Sequence, residues 1–205
     1  MSAAPVAAVV LAAGGSRRLG RPKQLLTLAG QTLVRRAALA ALGSRAACTL
    51  VVTGAHAGAV ELALKDLAAV CVHCADWEAG LAASLRAGVS AALARAPEAP
   101  VLLLLADQPA VDSALLDRLI ALHEAGHQLA ACHYGGELGV PALFAPSFAR
   151  ELLALEGDRG AKALLIRERA RVAWLPFEDG VLDVDTPEDW ARVSRILEAR
   201  TSEPR

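Results

Sequence analysis

Val6-Ala7-Ala8-Val9-Val10-Leu11-Ala12-Ala13-Gly14-Gly15-Ser16-Arg17-Arg18-Leu19-Gly20-Arg21-Pro22-Lys23 is the stretch whose reading decides the fold. Its first six residues form an uncharged aliphatic run, the pattern of a strand covered on both faces. The run empties into Gly14 and Gly15, and four cations follow within seven residues: Arg17, Arg18, Arg21 and Lys23. Glycines let the backbone approach a ligand closely and turn its N–H groups toward it. Clustered guanidinium and ammonium groups then neutralise phosphate charge that N–H donors alone leave unbalanced. The plain alternative is a solvated basic loop at a sheet edge. A hydrophobic strand feeding glycines and then cations is instead the general plan of phosphate loops.

Outward from this stretch, strands and helices alternate. Strands are predicted over 6–11, 48–53, 69–74 and 100–106, and helices over 31–43, 57–66, 80–95 and 112–125. Continuous apolar runs such as Val101 to Leu105 suit parallel strands, and the helices carry apolar residues three and four apart. This βαβ rhythm predicts a three-layer α/β/α fold, Rossmann-like and doubly wound around a mostly parallel sheet. From 127 to 177 shorter strands (127–133, 140–144, 171–176) surround helices near 147–155 and 159–169, and read as additions to the sheet, some antiparallel. A last helix opens at Asp185-Thr186-Pro187-Glu188-Asp189, with proline preset for the first turn and acids at its positive end. A single domain is expected over 1–199, with 200–205 as a disordered tail.

The 205 residues carry a net charge of −1, so no global basic field points to nucleic acid. No apolar run approaches the ~18 residues of a membrane span, and the N-terminus reads as a strand rather than a signal peptide. A cytoplasmic protein is expected. Cys48, Cys71, Cys74 and Cys132 read as buried reduced thiols, since Cys71 and Cys74 lack a second Cys/His pair to complete a zinc site. The five histidines show no ligand spacing and read as packing or surface residues.

Ligands of open α/β sheets sit beyond the carboxyl ends of the strands. Asp107 is delivered there by five aliphatic residues, and Asp112 and Ser113 are better placed to cap the following helix. A carboxylate facing a triphosphate requires a cation between them, and Mg²⁺ is the hard ion that bridges carboxylates to phosphates. Asp183 and Asp185 offer a second carboxylate; in a strand both project to one face, while Asp185 also suits a helix cap. Gly80 permits close approach, Ser84 can donate from the first turns of a helix, and Trp77 sits in a polar loop. Gly157, Asp158, Arg159 and Lys162, at a helix start, read as a second anion site.

The glycine spacing fits neither a dinucleotide fingerprint nor a Walker loop. The pattern L-x-x-G-x-x-x-R-[ML]-G-x-x-K, carried by Leu11, Gly14, Arg18, Leu19, Gly20 and Lys23, resembles the signature of nucleotidyltransferases that join a nucleoside triphosphate to a phosphorylated acceptor. The Leu-Ala-Ala-Gly opening and the Gly-Arg-Pro-Lys close, with Trp77, Gly80, Ser84 and Leu85 as W-x-x-G-x-x-x-S-L, look most like molybdenum-cofactor cytidylyltransferases of the MobA-like superfamily. This resemblance spans about residues 6–195 and implies the nucleotide-diphospho-sugar transferase type of fold, with the added strands on the acceptor side. It implies transfer of CMP from CTP to the terminal phosphate of molybdopterin, with pyrophosphate released and Mg²⁺ as cofactor. Arg18, Lys23 and Asp107 are then catalytic, and Asp107 and Asp185 hold metal with Asp183 in reserve. Leu11, Ala12, Ala13, Gly14, Gly15, Ser16, Arg17, Gly20, Trp77, Gly80 and Ser84 hold nucleotide, and Gly157, Asp158, Arg159 and Lys162 hold the acceptor. A molybdenum hydroxylase or dehydrogenase, or its maturation chaperone, is the implied transient partner, with neither nucleic acid nor membrane.

One departure is Gly139-Val140-Pro141, where relatives usually place His or Asn between the glycine and proline. Three rivals remain. A guanylyltransferase usually reads Leu-Ala-Gly-Gly where this chain has Ala13. A sugar- or polyol-phosphate nucleotidyltransferase fits the Trp77 segment less well. A silent cofactor-handover protein would not need Arg18, Lys23, Asp107 and Asp185 together.

Overall fold

The computed structural model describes residues 4–202. Its strands are β1 (Ala7–Leu11), β2 (Thr27–Leu28), β3 (Gln31–Thr32), β4 (Cys48–Thr53), β5 (Val70–His73), β6 (Val101–Leu105), β7 (Leu129–Tyr134), β8 (Glu137–Phe144) and β9 (Val172–Pro176). Its helices are α1 (Leu33–Leu42), α2 (Ala57–Leu64), α3 (Leu81–Arg95), α4 (Ser113–Glu124), α5 (Ala149–Leu153), α6 (Ala161–Arg167) and α7 (Pro187–Ser202).

Aliphatic β1 pairs in parallel with β4 on one side and β6 on the other, within a seven-stranded sheet ordered β5-β4-β1-β6-β8-β7-β9. Strand β8 runs antiparallel to both β6 and β7, while β7 and β9 are parallel. The expected mostly parallel sheet with antiparallel additions is therefore present. Alternate residues of β1 serve opposite faces: Ala7, Val9 and Leu11 join the core beneath α3, while Ala8 and Val10, with Val6 just before the strand, join the core beneath α1 and α4. Gly88 lets α3 descend onto the sheet, since a Cβ there would lie 2.4 Å from Val9 Cγ1. This close seating carries the start of α3 down to the strand ends.

Two expectations need correction. The helix predicted from 31 begins at Leu33, because Gln31 and Thr32 pair with Thr27 and Leu28 as a small hairpin. Thr32 then caps α1, its side chain accepting from the Arg35 N–H at 3.4 Å. The tail expected from 200 is helical through 202, its last turns tied by the Arg200 guanidinium to Asp179 at 2.6 and 2.9 Å; residues 203–205 lie outside the described residues. A third core cluster, Leu19, Leu26, Leu28, Leu33, Leu182, Val184 and Val193, binds the glycine-rich loop, the hairpin and α7 together. Among the described residues no helix is long and apolar enough to cross a membrane, and all four cysteines are free thiols.

Candidate active site

In the parallel part of the sheet, β1 is followed to one side by β4 and β5 and to the other by β6, so strand order reverses between β1 and β6. That crevice is where an open α/β sheet takes its ligand. The loop after β1 and Asp107 after β6 leave the sheet side by side there. Ser16 adopts φ +53° and Gly20 φ +72°, and the Ser16 carbonyl accepts from the N–H groups of Leu19 and Gly20, both at 3.1 Å. Buried Gln24 locks the loop from beneath. Its Nε2 donates to the carbonyls of Ala12 (3.0 Å) and Gly14 (2.6 Å), and its Oε1 accepts from Ser16 Oγ at 3.3 Å. Ser16 Oγ in turn accepts from the Lys23 N–H at 3.0 Å. With these carbonyls drawn down, the N–H groups from Ala13 to Arg18 have no protein acceptor among the described residues, the arrangement of an anion cradle.

The charged groups converge on this cradle. Lys23 Nζ donates to Asp107 Oδ2 and, at 2.8 Å, to Asp185 Oδ1, while Arg18 Nη2 donates to Asp185 Oδ2 at 2.7 Å. Sharing one ammonium keeps the two carboxylates within about two hydrogen-bond lengths, ~6 Å, of each other. Burial alone would lower the Lys23 ammonium, but Asp107 and Asp185 outweigh it and hold its pKa above the usual value. For Asp185 burial pushes upward, and Lys23 and Arg18 prevail to hold it below the usual carboxylate range.

No strand forms over 182–185. Instead Leu182 and Val184 are buried in the third cluster, and the Val184 N–H donates to the Asp107 carbonyl at 3.2 Å, pinning this segment beside β6. Asp185 is not the cap of α7. Thr186 takes that role in a reciprocal pair, its Oγ1 accepting from the Asp189 N–H (3.1 Å) while Asp189 Oδ2 accepts from the Thr186 N–H (3.0 Å). Asp185 is thereby left to the cation cluster.

Asp107 and Asp185 fit a hard divalent cation. Asp107 Oδ1 is buried with no partner, an unmet acceptor of the kind that calls for an ion or water. The donor set is all oxygen and comprises two carboxylates; among the described residues no group of three or more His, Cys, Asp or Glu could hold a metal by itself. One or two carboxylates completed by phosphates is the usual mode of Mg²⁺.

A cavity of about 500 Å³ opens over the cradle, and Leu11, Ala12, Ala13, Gly14, Gly15, Arg17, Lys23, Trp77, Gly80, Ser84, Asp107, Asp158, Asp183 and Asp185 line it. Trp77 lies against Gly15, where a Cβ would meet its ring at 3.0 Å, and against Gly54, where one would lie 2.8 Å from Trp77 Cβ. Gly80, at φ +106°, gives its space to the chain itself: a Cβ would lie 2.5 Å from the Gly157 carbonyl oxygen, which accepts from the Ala82 N–H at 3.0 Å. Exposed Arg17 reaches Glu78 at 3.7 Å across the cavity mouth. Ser16 and Gly20 shape the loop without lining the cavity.

Of the residues expected as an anion site at 157–162, Asp158 lines this cavity and Lys162 lines the adjoining one. Helix α6 starts only at Ala161, Gly157 and Asp158 pack against Gly80, Arg159 is exposed away from both main cavities, and Lys162 is paired with Glu137. A second cavity, about 340 Å³, adjoins the first through Leu105 and Asp183. Gln24, Gln108 and Tyr134 were not singled out by motif reading; each matters through contacts that only folding creates.

Among the described residues no cation pairs with Asp183. Burial and the nearby Asp107 hold its carboxyl above the usual range, although the residue as a whole is exposed, which keeps the effect small. A carboxyl that keeps its proton to higher pH in the fold than in the unfolded chain costs stability once pH rises past it. Asp183→Asn is therefore expected to raise the melting temperature near neutral pH, with the gain fading on acidification. Calorimetry between about pH 4 and pH 8 checks this; an equal gain at both ends would remove the electrostatic explanation.

A cradle of free N–H groups beside clustered cations and two carboxylates, at the switch point of a mostly parallel sheet, defines a nucleotidyltransferase-type site. The chain belongs to the MobA-like NTP transferase family, whose model matches residues 8–172. It is 32% identical over 203 residues to the nicotine blue oxidoreductase of Paenarthrobacter nicotinovorans and 33% identical over 199 residues to the purine catabolism protein PucB of Bacillus subtilis (strain 168). Each alignment covers 92% of this chain and 96% of the relative. The crystal structure of Rv0371c from Mycobacterium tuberculosis H37Rv superposes with a TM-score of 0.79 at 34% identity, covering 95% of this chain and all of that one. Rv0371c is also known in complex with manganese.

Proposed function

We propose that the protein transfers CMP from CTP to the terminal phosphate of molybdopterin, releasing pyrophosphate. The observation that carries this reading is the single ammonium of Lys23 joined to both Asp107 and Asp185 at the foot of the phosphate cradle. An ionised acceptor phosphate is its own nucleophile, so the site needs no general base. Its task is to position two anions in line and to neutralise them. The N–H groups of Ala13 to Arg18 hold the triphosphate, and Lys23 and Arg18 turn to the oxygens on which charge accumulates. Asp107 and Asp185 would hold Mg²⁺, which would screen carboxylate from phosphate and supply Lewis-acid stabilisation of phosphoryl charge. The product passes to a molybdenum hydroxylase or dehydrogenase, or to its chaperone, in the cytoplasm; four free thiols suit a reducing compartment.

Preference for cytosine rests on Ala13. Its side chain is buried at the cavity wall, where a Cβ on Gly54 would lie 2.8 Å from Ala13 Cβ, so Gly54 backs the wall closely at this point. With Mg²⁺ present, CTP is expected to raise the melting temperature more than GTP, ATP or UTP do, because a ligand of the native state stabilises it in proportion to its affinity. Ala13→Gly is expected to narrow the gap between CTP and GTP. A larger shift with GTP than with CTP in the unaltered protein would replace this reading with a guanylyltransferase. Release of pyrophosphate from CTP only when molybdopterin is added tests the acceptor.

A further inference from the structure

Gln24 is 2% exposed, and the hydrogen bonds of its side chain all fall on the loop after β1. Its Nε2 gives one N–H to the Ala12 carbonyl and one to the Gly14 carbonyl. Carbonyls can only accept, so the amide cannot be turned the other way. Its Oε1 is thereby the atom that takes the Ser16 Oγ proton, and Ser16 Oγ in turn accepts from the Lys23 N–H. Among side chains of this length, only a primary amide carries two N–H donors and an acceptor on one carbon. The loop uses all three.

These bonds dictate where the loop's own N–H groups point. In a planar trans peptide the C=O of one residue and the N–H of the next point in opposite directions. Holding the Ala12 carbonyl therefore turns the Ala13 N–H away from Gln24, and holding the Gly14 carbonyl does the same to the Gly15 N–H. The Ser16 carbonyl is held by the N–H groups of Leu19 and Gly20, which turns the Arg17 N–H away from that turn. Ser16 enters it at φ +53°, an uncommon conformation for a residue with a side chain, and its hydroxyl is pinned between Gln24 and Lys23. Ala13, Gly15 and Arg17 all line the first cavity, and their N–H groups meet no protein acceptor among the described residues.

We infer that Gln24 is a positioning residue: it aims the N–H groups of Ala13 and Gly15 directly, and that of Arg17 through Ser16, at the phosphates of the bound nucleotide. The inference rests on the nucleotidyltransferase reading for the word nucleotide, while the anion it needs is any polyphosphate. With both N–H groups taken up by the loop, Gln24 has no donor left to offer a phosphate. It acts by setting the loop before the ligand arrives, so that binding does not have to order it.

Calorimetric titration with inorganic tripolyphosphate and Mg²⁺ tests this, together with the backbone amide proton shifts read by NMR. In the unaltered protein tripolyphosphate is expected to move the Ala13, Gly15 and Arg17 amide protons downfield. Gln24→Met, of similar size but without donors, is expected to weaken tripolyphosphate at least ~10-fold and to abolish the shifts at Ala13 and Gly15, although Lys23 and Arg18 remain. Ser16→Ala leaves both Nε2 bonds intact and is expected to diminish the Arg17 shift alone. This milder variant decides the matter should Gln24→Met fail to fold. No amide response in the unaltered protein, undiminished binding in Gln24→Met, or a Ser16→Ala response that is unchanged or lost evenly at all three amides would each overturn the inference. CTP with Mg²⁺ is titrated into the same samples: tripolyphosphate behaving as expected while CTP fails to bind supports the role of Gln24 and removes the nucleotidyltransferase reading alone.

Discussion

Lys23→Ala is expected to lower turnover at least ~100-fold, the scale of losing a positioned charge stabiliser in an active site, and to make stability depend on divalent cation. Lys23 now serves two carboxylates at once, through Asp107 Oδ2 and Asp185 Oδ1. Its side chain is 19% exposed and that of Asp107 12%, so little water is at hand to replace it. Without the ammonium, two like charges face each other within ~6 Å. Arg18 remains on Asp185, but 71% of its side chain is in solvent, so it screens weakly. The melting temperature of Lys23→Ala should therefore fall, and millimolar Mg²⁺ should restore more of it than Mg²⁺ adds to the unaltered protein. Pyrophosphate release and thermal unfolding with and without Mg²⁺ check both parts. Near-normal turnover would sink the assignment of this loop; an unchanged response to Mg²⁺ would remove the metal from between the carboxylates.

Asp107→Asn is expected to reduce turnover by a similar factor while barely changing stability. The substitution keeps shape and an oxygen for Lys23, and Asp185 still neutralises the ammonium. What it removes is charge, and with it the carboxylate oxygen Oδ1 that is buried without a partner. Hard cations bind oxygen donors largely through charge, so Mn²⁺ used as a probe should bind the CTP complex more weakly, by calorimetry. A variant that turns over normally, or that binds Mn²⁺ as before, would exclude Asp107 from metal binding. A large loss of stability would mean instead that Asp107 is a structural partner of Lys23.

The parallel half of the sheet was readable from the chain because its signals are local. Aliphatic runs such as Val101–Leu105 are one strand long and need burial on both faces, and the glycine-cation stretch after Leu11 is contiguous. Cap chemistry was also local: Asp112 caps α4, accepting from the Leu115 N–H at 2.8 Å. Motif spacing likewise marked Lys23, Asp107 and Asp185, though they stand 84 and 162 residues apart in the pairs they form. The contacts of the acceptor side are less local. Gly157-Asp158-Arg159-Gly160 resembles a helix start with cations attached, yet α6 begins later and Glu137, distant in sequence, takes Lys162.

The order of apolar runs, glycines and charges thus determined an α/β protein with a glycine- and cation-rich loop after its first strand and carboxylates at the sheet edge. Those properties depend on solvent exclusion and backbone geometry over a few residues at a time. Only the tertiary structure decided which carboxylates meet, that Thr186 rather than Asp185 caps α7, that Gln24 holds the loop, and that buried Gln108 donates to Tyr134 and Val140. Each of these depends on which groups share a hydrogen-bonding partner in space, and long-range packing sets that: Leu182 and Val184 enter a core with Leu19 and Leu26, while Tyr134 fits between Gly139 and Gly180.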